Sequence, residues 1–182
     1  MLDTTALTSV GTLRTEPLRL EPMGPEHFDA QWAALDDPEL MRLTGTHAAF
    51  TAEGVRNYLA SLRAAADRAD WAIIASSDRH YLGEAVLNDL DADNETMNFR
   101  IALDGEYGQG YGTEATRAVV GYGFDVVGLH RISLGVYTFN PRAVRAYEKS
   151  GFRREGLARH ALRWDGEWYD EITMAILATD PR

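Results

Sequence analysis

The sequence predicts a single domain of mixed α/β class, built around one sheet of about seven strands. Its 182 residues fall in the size range of one compact domain. Apolar residues recur at every second position in some segments and at every third or fourth position in others, which predicts strands and amphipathic helices in turn. Short polar turns separate the central strand-like segments and favour antiparallel neighbours. The predicted order is β-αα-βββ-α-β-α-ββ.

The composition narrows the class of protein. With 45% hydrophobic and 25% charged residues, the chain is typical of a globular protein. The absence of cysteine excludes disulfides, thiolate nucleophiles and cysteine zinc sites, and we expect no metal. No segment approaches the ~20 apolar residues of a membrane span, and residues 1–10 do not resemble a secretion signal, so we expect a cytoplasmic address without membrane binding. A net charge of −10 argues against a nucleic-acid partner and mildly favours a cationic one.

The first half of the chain reads as a strand, two helices and three further strands. Alternation in 18–21, ended by Pro22 and Gly24, predicts the first strand. Helical spacing follows in 25–35 and 51–66. The three further strands are predicted at 71–75, 81–87 and 97–103.

The second half alternates helices with strands and ends in a hairpin. Helical spacing begins at Thr113, and alternation returns in 131–136. Asn140-Pro141 predicts a helix start, because asparagine caps free amides and proline suits the first turn, and Gly151 predicts its end. Strands at 157–162 and 171–177 are joined through Asp165-Gly166, a dipeptide favoured in hairpin turns.

A glycine-rich turn, YGQGYGT at 107–113, joins a predicted strand to a predicted helix. Three glycines let backbone amides approach a ligand closely, and the helix beyond adds the positive end of its dipole, so this turn suits phosphate. A Walker loop would need Lys-Ser/Thr after the last glycine, and a dinucleotide fingerprint would need glycine in place of Thr113. The alternative is a turn whose glycines only allow tight packing.

A second motif follows about thirty residues later, roughly one βα unit along the chain. Residues 140–152 read NPRAVRAYEKSGF, and the pair of motifs resembles the signature of GNAT N-acetyltransferases. The tail WDGEWYD at 164–170 and the opening LRTEPLRL at 13–20 resemble the branch of that superfamily that acetylates the N-terminal alanine or serine of ribosomal proteins. The resemblance implies one GNAT domain at 13–178, preceded by an N-terminal extension at 1–12.

This resemblance implies a sheet that splays between its fourth and fifth strands, with the pantetheine arm of coenzyme A in the gap. Backbone groups of Ile101 and Leu103 would bind the pantetheine amides, and Asn140 would reach the cofactor beside its sulfur. Arg145 would contact a phosphate of the cofactor. The alternative is that Arg145 lies on a solvent-exposed face of its helix and binds no ligand. The cradle for the pyrophosphate would consist of Gly108, Gln109, Gly110, Tyr111, Gly112 and Thr113.

Two residues are candidates for proton transfer. By resemblance, Tyr147 matches the position that protonates the departing sulfur, and a phenol is a suitable donor to a thiolate. The alternative is a core tyrosine with its hydroxyl at the edge. The fourth strand offers Asn98 and Arg100 where many relatives place a carboxylate. Glu84, on the neighbouring strand, is therefore the candidate base, and the alternative is that Glu84 is a surface residue without a catalytic role. Asp170 is a second candidate that would otherwise order the final hairpin.

The resemblance therefore predicts an enzyme that transfers acetyl from acetyl-CoA to a primary amine by direct attack in a ternary complex. The acceptor amine would be a peptide N-terminus, a polyamine or another small amine, and acyl groups such as succinyl stay open. A non-catalytic sensor or interaction module that binds acyl-CoA is the alternative. We also expect a homodimer, because relatives in this branch pair and Trp164, Trp168 and Tyr169 crowd one hairpin.

Overall fold

In the computed structural model, which describes residues 2–105 and 107–181, six α-helices and eight strands form one mixed α/β domain. The predicted class is confirmed. Within those ranges, no helix has the length and apolar character to cross a lipid bilayer. The helices are α1 (Thr5–Thr8), α2 (Phe28–Ala34), α3 (Pro38–Thr44), α4 (Ala52–Leu62), α5 (Tyr111–Tyr122) and α6 (Pro141–Lys149). The strands are β1 (Leu13–Arg14), β2 (Leu18–Pro22), β3 (Ala69–Ala75), β4 (Tyr81–Asp91), β5 (Thr96–Leu103), β6 (Arg131–Tyr137), β7 (Arg153–Trp164) and β8 (Glu167–Leu177).

All eight strands belong to one sheet, in the order β1-β2-β3-β4-β5-β6-β8-β7. The first five strands are each antiparallel to their neighbours. Short polar connections join β3 to β4 and β4 to β5, and these three strands form the predicted antiparallel meander. The pair β5–β6 is parallel, because α5 carries the chain back before β6 begins. Strand β8 lies between β6 and β7, antiparallel to both, so β7 is an edge strand.

Three described elements were not predicted: α1, β1 and α3. The ends of α3 carry ordinary signals, since the Asp37 carboxylate accepts a hydrogen bond from the amide of Glu39 at 2.9 Å and Pro38 occupies the first turn. Gly45 ends the helix in the left-handed region, with φ of 64°. Strand β1 has only two residues, too few for alternation to show in the sequence.

Other boundaries moved by a few residues. Helix α5 begins at Tyr111, two residues before the predicted start, because Gly110 adopts a left-handed conformation and serves as its N-cap. The final hairpin turns at Asp165-Gly166 as predicted, and both residues have positive φ, as a two-residue turn of this hand requires. Its strands extend beyond the predicted ranges. The ends of β7 could not be located from the sequence, because most of its positions are exposed and show no clear alternation.

The sheet is covered on both faces, and this arrangement positions the site. One face packs against α5 and α6 over a core that includes Trp71, Phe99 and Ile132, each at most 2% exposed. The other face packs against α2 and α4 through a smaller cluster around Leu59 and Ile74. Because neighbouring side chains of a strand point to opposite faces, each sheet residue can be assigned to one of these two sides.

The N-terminal segment packs against the first of these faces. Leu7 is 2% exposed and belongs to the main core. The hydroxyl of Tyr122 donates a hydrogen bond to the carbonyl of Ala6 at 2.6 Å, and the indole N–H of Trp71 donates one to the carbonyl of Gly11 at 3.0 Å. Two polar groups of the core therefore find their partners in residues 1–12.

Candidate active site

The sheet opens between β5 and β6. These strands pair only where residues 96–98 of β5 face residues 131–133 of β6, and beyond that point no ladder joins them. The two strands are the fourth and fifth of the predicted order, so the predicted splay is confirmed. Beyond this point β5 still pairs with β4, but the backbone groups on its other edge have no strand to pair with and are available to a ligand.

The opening leads into a cleft of about 470 Å³. Its walls come from β5 and β6, from the glycine turn with the start of α5, from α6 and from α3, with one residue of β8. Side chains of the two sheet faces meet there, because the cleft passes through the sheet. The lining residues that bear on binding and chemistry are Arg100, Ile101, Leu103, Tyr107, Gly108, Gly110, Gly135, Tyr137, Asn140, Arg142, Arg145, Tyr147, Lys149 and Glu171.

The glycine turn forms one end of the cleft. Gly108 and Gly110 have φ of 88° and 87°, a region that other residues enter at a cost. A Cβ at either position would meet no atom within 4 Å, so the space beside both glycines is open. The amides of Tyr111, Gly112 and Thr113 belong to the first turn of α5, where amides have no partner within a helix. This geometry suits an anion.

Five of the six cradle residues predicted from the sequence line the cleft: Gly108, Gly110, Tyr111, Gly112 and Thr113. Gln109, the sixth, is exposed and is not among the lining residues. Tyr107 also lines the cleft, and its hydroxyl donates a hydrogen bond to the carbonyl of Leu103 at 3.2 Å. The turn is therefore tied to the end of β5.

Helix α6 contributes three cations to the lining of the cleft. Arg145 was predicted from the sequence, and Arg142 and Lys149 join it. The three positions recur at helical spacing, a signal that the sequence already contained. The guanidinium of Arg142 lies 3.7 Å from the centre of the Tyr107 ring, which fixes it beside the glycine turn. In a chain of net charge −10, this is a local positive patch.

Asn140 begins α6 as predicted and caps it. Its side-chain oxygen accepts a hydrogen bond from the amide of Ala143 at 3.1 Å, and Pro141 occupies the first helical position. The cap uses the oxygen of the amide group and leaves its two N–H donors for other partners. Because Asn140 also lines the cleft, those donors are available to a ligand.

Tyr147 lies on α6 and belongs both to the core and to the wall of the cleft. Its ring is 7% exposed and packs against Phe99 and Phe152 in the main core. The residue also lines the cleft, and no hydrogen bond of its hydroxyl is found among the described residues. Burial raises the pKa of the Tyr147 phenol, so the hydroxyl stays protonated at neutral pH.

Glu84 lies on β4, on the sheet face that packs against α2. Its carboxylate accepts a hydrogen bond from the side-chain amide of Gln31 at 3.1 Å, and Gln31 in turn accepts one from the hydroxyl of Tyr81 at 2.5 Å. Burial raises the pKa of Glu84, while Arg100 opposes that shift. Glu84 lines a side cavity of about 70 Å³ that shares Arg100 with the main cleft.

Sequence reasoning placed Asp170 among the candidate carboxylates and did not select Glu171. In the structure, Asp170 accepts a hydrogen bond from the amide of His160 at 2.8 Å, within the final hairpin. Glu171 lines the main cleft, and desolvation raises its pKa. The alternation of β8 was the available signal, because it places Asp170 and Glu171 on opposite faces.

Comparison with known proteins gives one family. A family model described as an acetyltransferase (GNAT) domain matches residues 17–153. The probable N-acetyltransferase YjcK of Bacillus subtilis is 45% identical over 73 residues, which cover 40% of each chain. The spermidine N(1)-acetyltransferase of Escherichia coli K12 is 29% identical over 111 residues, 60% of each chain. The chain thus spans less than two thirds of either relative. A Vibrio cholerae spermidine N-acetyltransferase, solved with CoA and spermine, covers 91% of this chain and 98% of its own, with 20% identity and a TM-score of 0.83.

Proposed function

This chain belongs to the GNAT acetyltransferase family, and we propose that it transfers an acetyl group from acetyl-CoA to a primary amine. The observation that carries the proposal is the cleft between β5 and β6. This cleft offers amides and cations for an anion, and its wall includes Tyr147, whose hydroxyl makes no hydrogen bond among the described residues. These are the groups that binding a phosphorylated thioester and releasing its thiol require.

We assign the anionic part of CoA to the glycine turn and α6. The first-turn amides of α5 would receive the pyrophosphate, since the space beside Gly108 and Gly110 is open. Arg142, Arg145 and Lys149 would add charge to that contact. Acetyl-CoA is a substrate of the proposed reaction, and the roles assigned below require no metal.

The pantetheine arm would follow the free edge of β5, as the resemblance implies for Ile101 and Leu103. Both residues line the cleft, and the ladder to β6 has ended before them. The carbonyl of Leu103 already accepts a hydrogen bond from Tyr107, so a pantetheine amide would share or replace that bond. Ile101 has no such competitor in the described part of the chain.

Direct transfer needs a proton acceptor for the amine and a proton donor for the sulfur. The nitrogen forms a bond to the acetyl carbonyl carbon as the carbon–sulfur bond breaks, and the electron pair of that bond leaves with sulfur. Tyr147 would donate its proton to the sulfur, and Glu84 would accept the proton that the amine loses. A raised pKa suits Glu84 to that task, because a base works best with a pKa near the working pH.

Two finer assignments belong to this proposal. The tail at 164–170 supports a ribosomal-protein acetyltransferase, whereas the spermidine acetyltransferase of Escherichia coli supports a polyamine acceptor. A chain of net charge −10 suits either cationic acceptor. We also propose that the enzyme acts as a homodimer, through the face that carries Trp168.

The test is release of CoA from acetyl-CoA in the presence of an amine panel. The panel holds a diamine, a triamine, a monoamine and a peptide with a free N-terminal alanine. The expected result is CoA release with at least one amine, together with an acetylated product of the added mass. Tight binding of acetyl-CoA without turnover of any amine would instead support the sensor.

A further inference from the structure

Glu171 lies on the acceptor side of the gap. In the β6–β8 ladder Tyr137 faces Glu171 directly, so the two side chains share one face of the sheet. Leu134, Val136 and Met174 alternate with them and are buried in the core against α5 and α6. Glu171 therefore faces away from the CoA side, into the part of the cleft that α3 covers.

Gly135 makes the space that this carboxylate occupies. A Cβ at position 135 would collide with the carboxylate of Glu171, although the backbone of Gly135 does not have positive φ and does not itself require glycine. A larger residue here would push the flexible end of the Glu171 side chain aside. Since Gly135 borders the gap, the Glu171 carboxylate reaches across β6 to the opening between β5 and β6.

This carboxylate has no partner of opposite charge within the part of the chain that the structure describes. Among residues 2–105 and 107–181, no lysine, arginine or histidine forms an ion pair with Glu171, and no hydrogen bond to its side chain is found. Arg100, which also lines the cleft, acts on the pKa of Glu84 and of Tyr137, whereas desolvation alone shifts that of Glu171. A half-buried carboxylate in this state gains from any cation that enters the cleft.

The neighbouring ring of Tyr137 favours the same kind of ligand. The ring stacks on Phe139, with centroids 5.5 Å apart. Burial, and after it the charge of Glu171, raises the pKa of the Tyr137 phenol. A carboxylate beside an aromatic ring is a suitable site for an ammonium group. Such a site holds a nitrogen that stays charged, whereas the attacking nitrogen has to be neutral.

We propose that Glu171 binds a second, non-reacting ammonium group of the acceptor, so that a diamine or polyamine is preferred over a monoamine. This inference rests on the proposed acetyl transfer to an amine. The reacting nitrogen lies at the gap, and the charged nitrogen lies against Glu171. Glu84, the candidate proton acceptor, lines the side cavity that adjoins the cleft at Arg100. The residue is thus a specificity determinant that contacts the substrate.

The experiment compares 1,4-diaminobutane with butylamine, which share a chain length and differ by one ammonium group. The parent enzyme is expected to prefer the diamine by at least about tenfold in kcat/KM, the effect of one charge-assisted contact. Glu171→Gln should lose that preference through a higher KM for the diamine, with butylamine changed less than about threefold. Gly135→Ala should act in the same direction, because it displaces the carboxylate without removing it.

Glu167→Gln is the matched control, since it removes the same charge from an exposed position on the same strand. An unchanged diamine preference in Glu171→Gln would overturn the proposal. An equal fall in kcat for both amines, with KM unchanged, would also overturn it and would make Glu171 the base. If the parent acetylates no amine of the whole panel, the proposed function fails. Calorimetry of the diamine binding to the CoA-bound parent and to Glu171→Gln then decides the role of Glu171 separately.

Discussion

The ring of Tyr147 meets the ring of Phe99 edge to face, with centroids 6.4 Å apart and planes at 89°. Phe99 belongs to β5, the strand that bounds the gap, and lies just beyond the last residue that pairs with β6. The contact therefore fixes the tyrosine ring to the wall of the cleft. A hydroxyl held in this way can act on a bound ligand without first ordering its own side chain.

We expect Tyr147→Phe to lose turnover while keeping its affinity for CoA. The ring contacts remain, and the lost hydroxyl is proposed to act only as the sulfur leaves, so the change affects the transition state. A positioned general acid contributes about 10² to 10⁴-fold, and kcat with acetyl-CoA should fall in that range. Steady-state kinetics and calorimetry measure the two quantities.

Tyr122→Phe is the control for this substitution. Its hydroxyl binds the carbonyl of Ala6, away from the cleft, so kcat should not change. A fall of less than about threefold in Tyr147→Phe, with chemistry shown to be rate-limiting, would leave Tyr147 as a core residue only.

We expect Gly110→Val to weaken CoA binding by at least about tenfold, because the new side chain occupies the open space beside the first turn of α5. Gly105→Val is the control, since Gly105 also has positive φ and open space but does not line the cleft. Both variants carry backbone strain, and circular dichroism checks that each is folded. Equal affinities for CoA in the two variants would contradict the proposed cradle.

We expect Glu84→Gln to stabilise the folded protein at neutral pH. Burial raises the folded-state pKa of Glu84 above its ordinary 4.5, so the charged carboxylate is less favourable in the folded chain than in the unfolded chain. That penalty is absent below the unfolded pKa and grows as the pH rises through the folded one. The variant should therefore gain unfolding free energy at pH 8 and change it little at pH 4.

Urea denaturation between pH 4 and 8 measures this difference. Glu167→Gln, at an exposed position, should show no such trend. A gain for Glu84→Gln that is the same at both ends of the pH range would show that the carboxylate is not desolvated. The amine-dependent kcat of the same variant reports on Glu84 as the proton acceptor.

We expect deletion of residues 2–12 to destabilise the domain by about 3 to 5 kcal/mol. The deletion removes Leu7 from the core, a loss of about 2 kcal/mol, and leaves the hydroxyl of Tyr122 and the indole of Trp71 without their partners. Thr8→Ala, at an exposed position of α1, is the control. If the shortened chain unfolds at the same urea concentration as the parent, residues 1–12 are a separable extension of the domain at 13–178.

We expect light scattering to give twice the 20.2 kDa mass of the chain at micromolar concentration. Trp164 stacks on His47 and Tyr169 packs against Phe139, whereas Trp168 is 53% exposed on the final hairpin. Trp168→Ser should therefore raise the fraction of monomer, because an exposed aromatic side chain is suited to an interface. Val126→Ser, which changes an equally exposed apolar residue of the segment after α5, should not.

Much of the architecture could be predicted from the sequence, because local rules decide it. Alternation and helical spacing located the strands and the longer helices, and Asn140-Pro141 and Asp165-Gly166 marked a helix start and a hairpin turn. The glycine turn could also be predicted, because the positive φ of Gly108 and Gly110 is a local conformation that glycine adopts readily and other residues do not. Elements too short to show a period, such as β1, were missed.

The acceptor side of the cleft depended on the tertiary structure. Alternation assigns a residue to one face of its own strand, but it does not say which strands become neighbours or where a pair separates. Glu171 became a candidate only because β8 lies beside β6 and because Gly135, distant in the sequence, leaves the space for its carboxylate. Likewise, Asp170 and Glu171 are adjacent carboxylic acids that the sequence alone does not distinguish. They lie on opposite faces of β8, so that Asp170 binds within the hairpin and Glu171 lines the cleft.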